Sequence, residues 1–115
     1  MRHIDVRHDA PKPLTEPVLL ILASLATEPR HGYGLMKDIE TLSNGRVRLS
    51  TGTLYGALAR LLEDGWIERF EQDDRSRDKQ AYRLTSEGRR QLQAEVERLK
   101  QLARAASARL KMREA

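Results

Sequence analysis

The sequence contains no cysteine. That absence excludes disulfides, thiolate zinc sites and thiol catalysis, and it permits a reducing compartment. Aromatic residues make up only 4% of the 115 residues and hydrophobic residues 39%. A single domain of this size and composition has a thin core, and association with a second copy is expected from the outset. Long apolar runs are missing too. The longest, VLLILASLA from Val18 to Ala26, is about half of the roughly 20 residues a membrane-spanning helix needs. The opening MRHIDVRHDAPKP lacks the apolar stretch of a signal peptide. A cytoplasmic chain with no membrane partner is expected. Histidine is scarce: His3, His8 and His31 all precede Gly32. No spacing suggests a Ser/His/Asp set or paired carboxylates, so neither an enzyme nor a cofactor is expected. His3, Asp5, His8 and Asp9 in HIDVRHD are a candidate metal set, but such a short arm reads more simply as a tail, and no metal is assigned.

Charge is present and unevenly placed. The net charge is +4, and the segment from Ser86 to Ala115 alone holds eight Lys/Arg against four Glu. The segment from Met1 to Thr85 therefore sums to zero. Within it, residues 30–60 carry Arg30, Lys37, Arg46, Arg48 and Arg60 against Asp38 and Glu40, a local excess of three. A basic chain points to an anionic partner, nucleic acid first.

Residues 1–13 read as a loose arm closed by Pro11 and Pro13. Thr15 caps a first helix with Glu16 and Pro17 in its opening turn; it runs to about Thr27 and is apolar nearly all round, hence central. A second helix from about Gly32 to Leu42 puts Leu35, Met36, Ile39 and Leu42 on one face, and SNG stops it. RVRL, Arg46 to Leu49, alternates and predicts a short strand. In LSTGTLYGALARLLEDGW, Ser50 caps a third helix whose Leu54, Leu58, Leu61 and Leu62 form one stripe; it ends near Asp64, with Gly65 at the C′ position. WIERF and AYRLT, either side of the charged turn EQDDRSRDKQ, make a hairpin. Thr85 or Ser86 then caps a long final helix. Three helices followed by a hairpin is the winged helix-turn-helix arrangement, a mainly α (α+β) fold. The expected organisation is an N-terminal arm at 1–13, a DNA-binding domain at 14–85 and a C-terminal dimerisation helix at 86–115.

In such a domain the N-terminal end of the third helix meets the major groove and the hairpin lies along the backbone. Ser50, Thr51, Gly52 and Thr53 offer hydroxyls without bulk, where free amides and the positive end of the helix dipole suit phosphates. Tyr55 and Arg60 sit off the apolar stripe, and Arg75, Arg77 and Lys79 of the turn are candidates for phosphate contact despite Asp73, Asp74 and Asp78. The plainer alternatives are an ordinary N-cap at Ser50 and a solvated loop. In the last helix Leu92, Val96, Leu99, Ala103, Ala106 and Leu110 recur at 4-3-4-3-4, a heptad seam for a homodimer. A two-fold dimer would match a palindromic operator.

HGYGLMKDIE (His31 to Glu40), RVRLSTGTLYGALARLLEDGWIE (Arg46 to Glu68) and AYRLTSEGRRQL (Ala81 to Leu92) resemble the PadR family of transcriptional regulators. With one helix after the wing, the chain is similar to its short-chain subfamily. The resemblance implies a homodimeric repressor, joined through its C-terminal helix, that releases double-stranded DNA on binding a small-molecule effector. It adds Tyr33 to Thr51, Thr53, Tyr55 and the wing cations as DNA contacts. The sequence departs from the family's pattern at Thr51, where proline is frequent, at Gly56, where a larger residue is frequent, and in the wing, where only Tyr82 remains of a tyrosine pair. Trp66 is expected as a hydrophobic anchor between the third helix and the wing. The rival reading is a winged-helix protein-interaction adaptor without specific DNA binding, compatible with the neutral segment that precedes Ser86.

Overall fold

The computed structural model describes residues 12–70 and 80–114. Thr15 caps the first helix, α1 (Glu16–Leu25), its side-chain oxygen accepting the amide of Val18 at 3.3 Å. Ile21, Leu22 and Leu25 of α1 are buried. The helix stops short of Thr27. The carbonyl of Ser24, which a further turn would have used, accepts instead from Nε of Arg30 at 3.0 Å.

That same Arg30 begins a two-residue strand, β1 (Arg30–His31), which leads directly into α2 (Gly32–Leu42). The second helix has the bounds read from the sequence, and Leu35 and Ile39 are fully buried. Leu42, placed on its apolar face, is instead 48% exposed. The third helix, α3 (Thr51–Glu63), follows, with Ser50 as its N-cap and Leu54, Leu58 and Leu61 buried. Gly65 has φ +76 just past the C-cap, the left-handed position a helix end favours. The wing consists of β2 (Ile67–Phe70) and β3 (Ala81–Leu84), and α4 (Ser86–Glu114) completes the chain. Thr85 caps α4, accepting the amide of Gly88 at 3.1 Å.

The sheet has three antiparallel strands in the order β1-β3-β2, with Arg30 opposite Tyr82 and Arg69 opposite Tyr82 on the other side. The strand expected at RVRL is not formed. Its alternation is real, since Val47 and Leu49 pack against the core while Arg46 and Arg48 are exposed. Alternation reports sidedness only; a strand also needs a neighbour. Here the amide of Val47 is satisfied by the Ser43 hydroxyl at 2.9 Å instead.

One core joins the four helices with β2 and β3: Ile21 and Leu22, Leu35 and Ile39, Leu54 and Leu58, with Ile67 and Tyr82 from the sheet and Leu92 from α4. Trp66 is half-buried against it. Beneath the first turns of α4 lies a buried carboxylate. Glu95 is 5% exposed, takes both guanidinium contacts of Arg98 at 2.9 and 2.6 Å, and accepts the amide of Leu14 at 3.3 Å. The Arg98 hydrogen bonds hold its carboxyl below the usual carboxylate range, against burial, which pushes it up, with the Leu14 amide adding to the lowering. A depressed folded-state value contributes stability above the ordinary carboxylate range and loses it as pH falls through the folded value. Glu95→Gln is therefore expected to melt about 4 °C lower at pH 7. The gap to the wild type should close in acid, as measured by thermal scans from pH 7 to 3; a constant gap would remove Glu95's ionisation from the account. Among the described residues no helix is long and apolar enough to cross a membrane.

Candidate nucleic-acid interface

The face that α3 turns away from the core is built from small residues. Thr51, Gly52, Thr53, Gly56 and Ala59 are exposed, and a Cβ added at Gly52 or Gly56 would meet nothing within 4 Å. Ser50 both opens and trims this surface. Its hydroxyl accepts the amide of Thr53 at 3.1 Å and lies 3.0 Å from the Thr53 hydroxyl, while its carbonyl takes the amide of Leu54. Ser50 is thus occupied as a cap. Helix geometry leaves the amides of Thr51 and Gly52 without intrahelical partners, at the positive end of the helix. They present two donors to an approaching anion.

Two tyrosines flank this end. Tyr33, in the first turn of α2, is 68% exposed, with the Lys37 ammonium 5.5 Å from its ring centre. Tyr55 is 44% exposed, and its hydroxyl end rests on Gly32. A Cβ at Gly32 would overlap the Tyr55 oxygen and lie 2.9 Å from its Cζ, so glycine is what lets the ring lie down there. Thr51, Gly52, Thr53 and Tyr55 of α3 and Tyr33 of α2 are therefore brought to one corner, with Arg60 exposed two turns along α3.

The charge excess of residues 30–60 is smaller in space than in sequence. Arg30 turns inward: its side chain is 21% exposed, pairs with Glu28 at 3.1 Å and reaches Asp38 at 3.5 Å. Asp38 in turn accepts the Ser24 hydroxyl at 2.6 Å. Arg48 pairs with Glu40 at 2.7 Å. Arg30 fastens α1 to α2, and Lys37, Arg46 and Arg60, with Arg48 beside Glu40, remain as the cations that residues 30–60 place at the surface.

At the base of the wing Glu68 and Arg83 sit opposite each other and pair at 2.6 Å, and Arg83 lies 4.8 Å from the Phe70 ring centre. Tyr82, the remnant of the wing's tyrosine pair, is 6% exposed. Burial raises its hydroxyl's pKa, nearby Tyr55 adds to the rise, and Arg69 opposes it. Tyr82 is a core residue. The wing candidates Arg75, Arg77 and Lys79 lie outside the described residues, as do His3, Asp5, His8 and Asp9.

On α4 the proposed seam divides. Leu92 is 9% exposed and belongs to its own domain's core. From residue 99 to 113 every side chain is exposed, a span of about 22 Å at the helical rise. Val96 and Leu99 are 37% and 38% exposed, and Leu110 is 68% exposed; Ala103 and Ala106 are exposed between them. Leu102, which the 4-3-4 reading passed over, is 53% exposed one turn from both Leu99 and Ala106, and its position beside the seam was available in the sequence to a wider stripe.

Residues 21–94 match the family model described as the transcriptional regulator PadR-like family. A protein described as an uncharacterized 37.1 kDa protein in a Streptomyces fradiae transposon is 38% identical over 84 residues, covering 73% of this chain; the chain spans 23% of that relative's length. Among solved structures, a PadR family transcription regulator from Clostridium difficile is 22% identical with a TM-score of 0.70, covering 84% of this chain and 99% of its own. A winged-helix DNA-binding protein from STIV is 20% identical with a TM-score of 0.66, covering 79% and 95%. These likenesses show the winged-helix fold.

Proposed function

This chain belongs to the PadR-like family of transcriptional regulators, and on that premise we propose that it is a sequence-specific DNA-binding regulator, a homodimeric repressor of a palindromic promoter operator that responds to a small-molecule effector. The observation that carries the DNA reading is the corner where Thr51, Gly52 and Thr53 stand uncrowded beside Tyr33 and Tyr55. A helix end bare of bulk admits the duplex, free amides take a phosphate, and hydroxyls and rings reach base edges. The exposed apolar residues of α4 support the dimer. Burying them against a second copy removes surface that a monomer would leave in water. Repression follows if the dimer occupies the operator and excludes polymerase. An effector shifts the spacing of the two α3 helices only by binding the two dimer conformations unequally.

Fluorescence anisotropy against DNA from the protein's own promoter region, with scrambled DNA as control, tests this at two salt concentrations. Selective binding that weakens steeply with salt is expected, each phosphate contact steepening the log–log slope by about 0.9. An absence of selectivity at both salts would favour the adaptor reading, since a mainly apolar protein interface lacks that salt dependence. Tyr55→Ala is expected to lose specific binding by about 10- to 100-fold, the size of a good base contact, with the dimer intact by light scattering. Undiminished operator affinity in that variant would take Tyr55 out of the reader.

A further inference from the structure

The turn after α2 carries the chain back along that helix. Asn44 and Gly45 adopt positive φ, 55 and 79, and the Ser43 hydroxyl takes the Val47 amide at 2.9 Å. Arg48 is thereby laid against Glu40, its Nε 2.7 Å from the carboxylate. An open cleft of about 450 Å³ results, lined by Tyr33, Met36, Lys37, Glu40, Arg48 and Leu49. Met36 and Leu49, packed on the core, are its apolar part. Lys37 and Arg48 bring two positive charges to it against the single carboxylate of Glu40. The Lys37 ammonium stands 5.5 Å from the Tyr33 ring centre. The cleft adjoins the proposed DNA surface, since Tyr33 belongs to both and Leu49 immediately precedes the α3 cap.

On the premise that α3 meets duplex DNA, we propose that this cleft seats a backbone phosphate between Lys37 and Arg48, and that Glu40 is a brake on that contact, holding Arg48 until the phosphate displaces it. Glu40 offers Arg48 what a phosphate would, an anionic oxygen for a guanidinium. The pair is exposed, with 79% of the Arg48 side chain and 40% of the Glu40 side chain in water, and an ion pair so placed stabilises little. It yields to the duplex, whose phosphates present a denser negative charge. A cost remains, because the displaced carboxylate stays beside the phosphate and repels it. Arg30 differs in kind: 21% exposed and bound to Glu28, Asp38 and the Ser24 carbonyl, it is committed to the fold. A phosphate contact carries no sequence information, so the brake weakens operator and other DNA alike.

Glu40→Gln keeps the length of the side chain and removes its charge. In anisotropy titrations it is expected to bind operator and scrambled DNA about fivefold more tightly, the most that an exposed ion pair withholds. The gain should be the same for both DNAs and fade as salt rises, the log–log slope steepening by up to about 0.9. Lys37→Gln and Arg48→Gln should each lose affinity for both DNAs and flatten that slope by up to about 0.9. In the double variant Glu40→Gln, Arg48→Gln the gain should vanish, because the brake acts through Arg48. Neither Glu40 nor Arg48 is buried, so folding should be untouched, and an unchanged circular dichroism spectrum confirms it. Unchanged or weaker binding by Glu40→Gln would overturn the proposal. A gain that survives in the Arg48→Gln background would also overturn it, since Glu40 would then act by repulsion alone. So would a gain confined to operator DNA, which would place Glu40 at bases instead of phosphates. Scrambled DNA reads phosphate contacts by itself. A wild type without operator selectivity would therefore sink the regulator reading and leave the brake measurable, whereas selective binding that Glu40→Gln leaves unmoved would sink the brake alone.

Discussion

Leu99→Asp is expected to turn the proposed dimer into monomers at micromolar concentration. Leu99 is 38% exposed on the isolated chain and sits on the stretch of α4 that stands clear of the domain. Burying a leucine side chain stabilises by about 1.5–3 kcal/mol. Leu99 has 38% of its surface left to bury, about 1 kcal/mol per copy. A two-fold seam buries it twice, so its loss weakens the dimer by about 2 kcal/mol, or about 30-fold. The new carboxylate adds a desolvation cost on both sides. The fold itself should persist, because the residues that join α4 to the domain, Gly88, Leu92 and Glu95, all precede position 99. Sedimentation or light scattering gives the mass. An unchanged dimer would sink the seam, and Leu102 and Leu110 would then need another partner. With the seam broken, each winged domain would meet a half-site alone, and operator affinity should fall together with the mass.

The second large effect concerns stability. Gly88→Ala, in the first turn of α4, is expected to destabilise the protein even though alanine normally favours a helix by up to about 1 kcal/mol over glycine. A Cβ at Gly88 would strike the carbonyl oxygen of Trp66 and lie 2.9 Å from its carbon and 3.0 Å from Cδ1 of Leu84. Leu84 can turn aside, but the Trp66 carbonyl cannot, because it accepts the amide of Thr85 at 3.0 Å. Thr85 also donates its hydroxyl to the Gly65 carbonyl at 2.6 Å and caps Gly88. One residue thus holds the start of β2 against the start of α4. Overpacking here costs about 3 kcal/mol, and the helix preference returns about 1 kcal/mol, for a net loss of about 2 kcal/mol. Melting should fall by about 8 °C in a domain of this size, measured at fixed protein concentration. A raised melting temperature would mean that propensity wins and that α4 can move off the wing.

Most of the elements were legible because their signals are local. Thr15, Ser50 and Thr85 cap the helices that follow them, and Gly65 ends α3 as expected, since each acts within a few positions along the chain. The leucine stripe of α3 faces the core as its spacing predicts. The hairpin was likewise visible from two β-rich runs either side of a polar turn. The candidate site was legible in part: the small residues at the start of α3 and the exposed Tyr33 lie where helix periodicity puts them.

The failures share a cause, which is dependence on distant partners. The short strand β1 exists because β3, far along the chain, offers Arg30 and His31 a free edge. RVRL has the better strand pattern but no such neighbour. Arg30 counted as surface charge until Glu28, Asp38 and the Ser24 carbonyl closed around it. Heptad spacing assigned Leu92 to a partner chain, but the domain's own core took it first. Glu95, unremarkable in the sequence, became buried once Leu14 and Arg98 met it. Gly32 and Gly88 carry no local signal of their use either, since what forbids a side chain there is the Tyr55 ring and the Trp66 carbonyl. Caps, stripes and turns were determined by the sequence itself, because their energies are settled between near neighbours. Strand pairing, the fate of charges and the sites that tolerate only glycine were decided by the tertiary structure, because there the deciding partner is brought close only by folding.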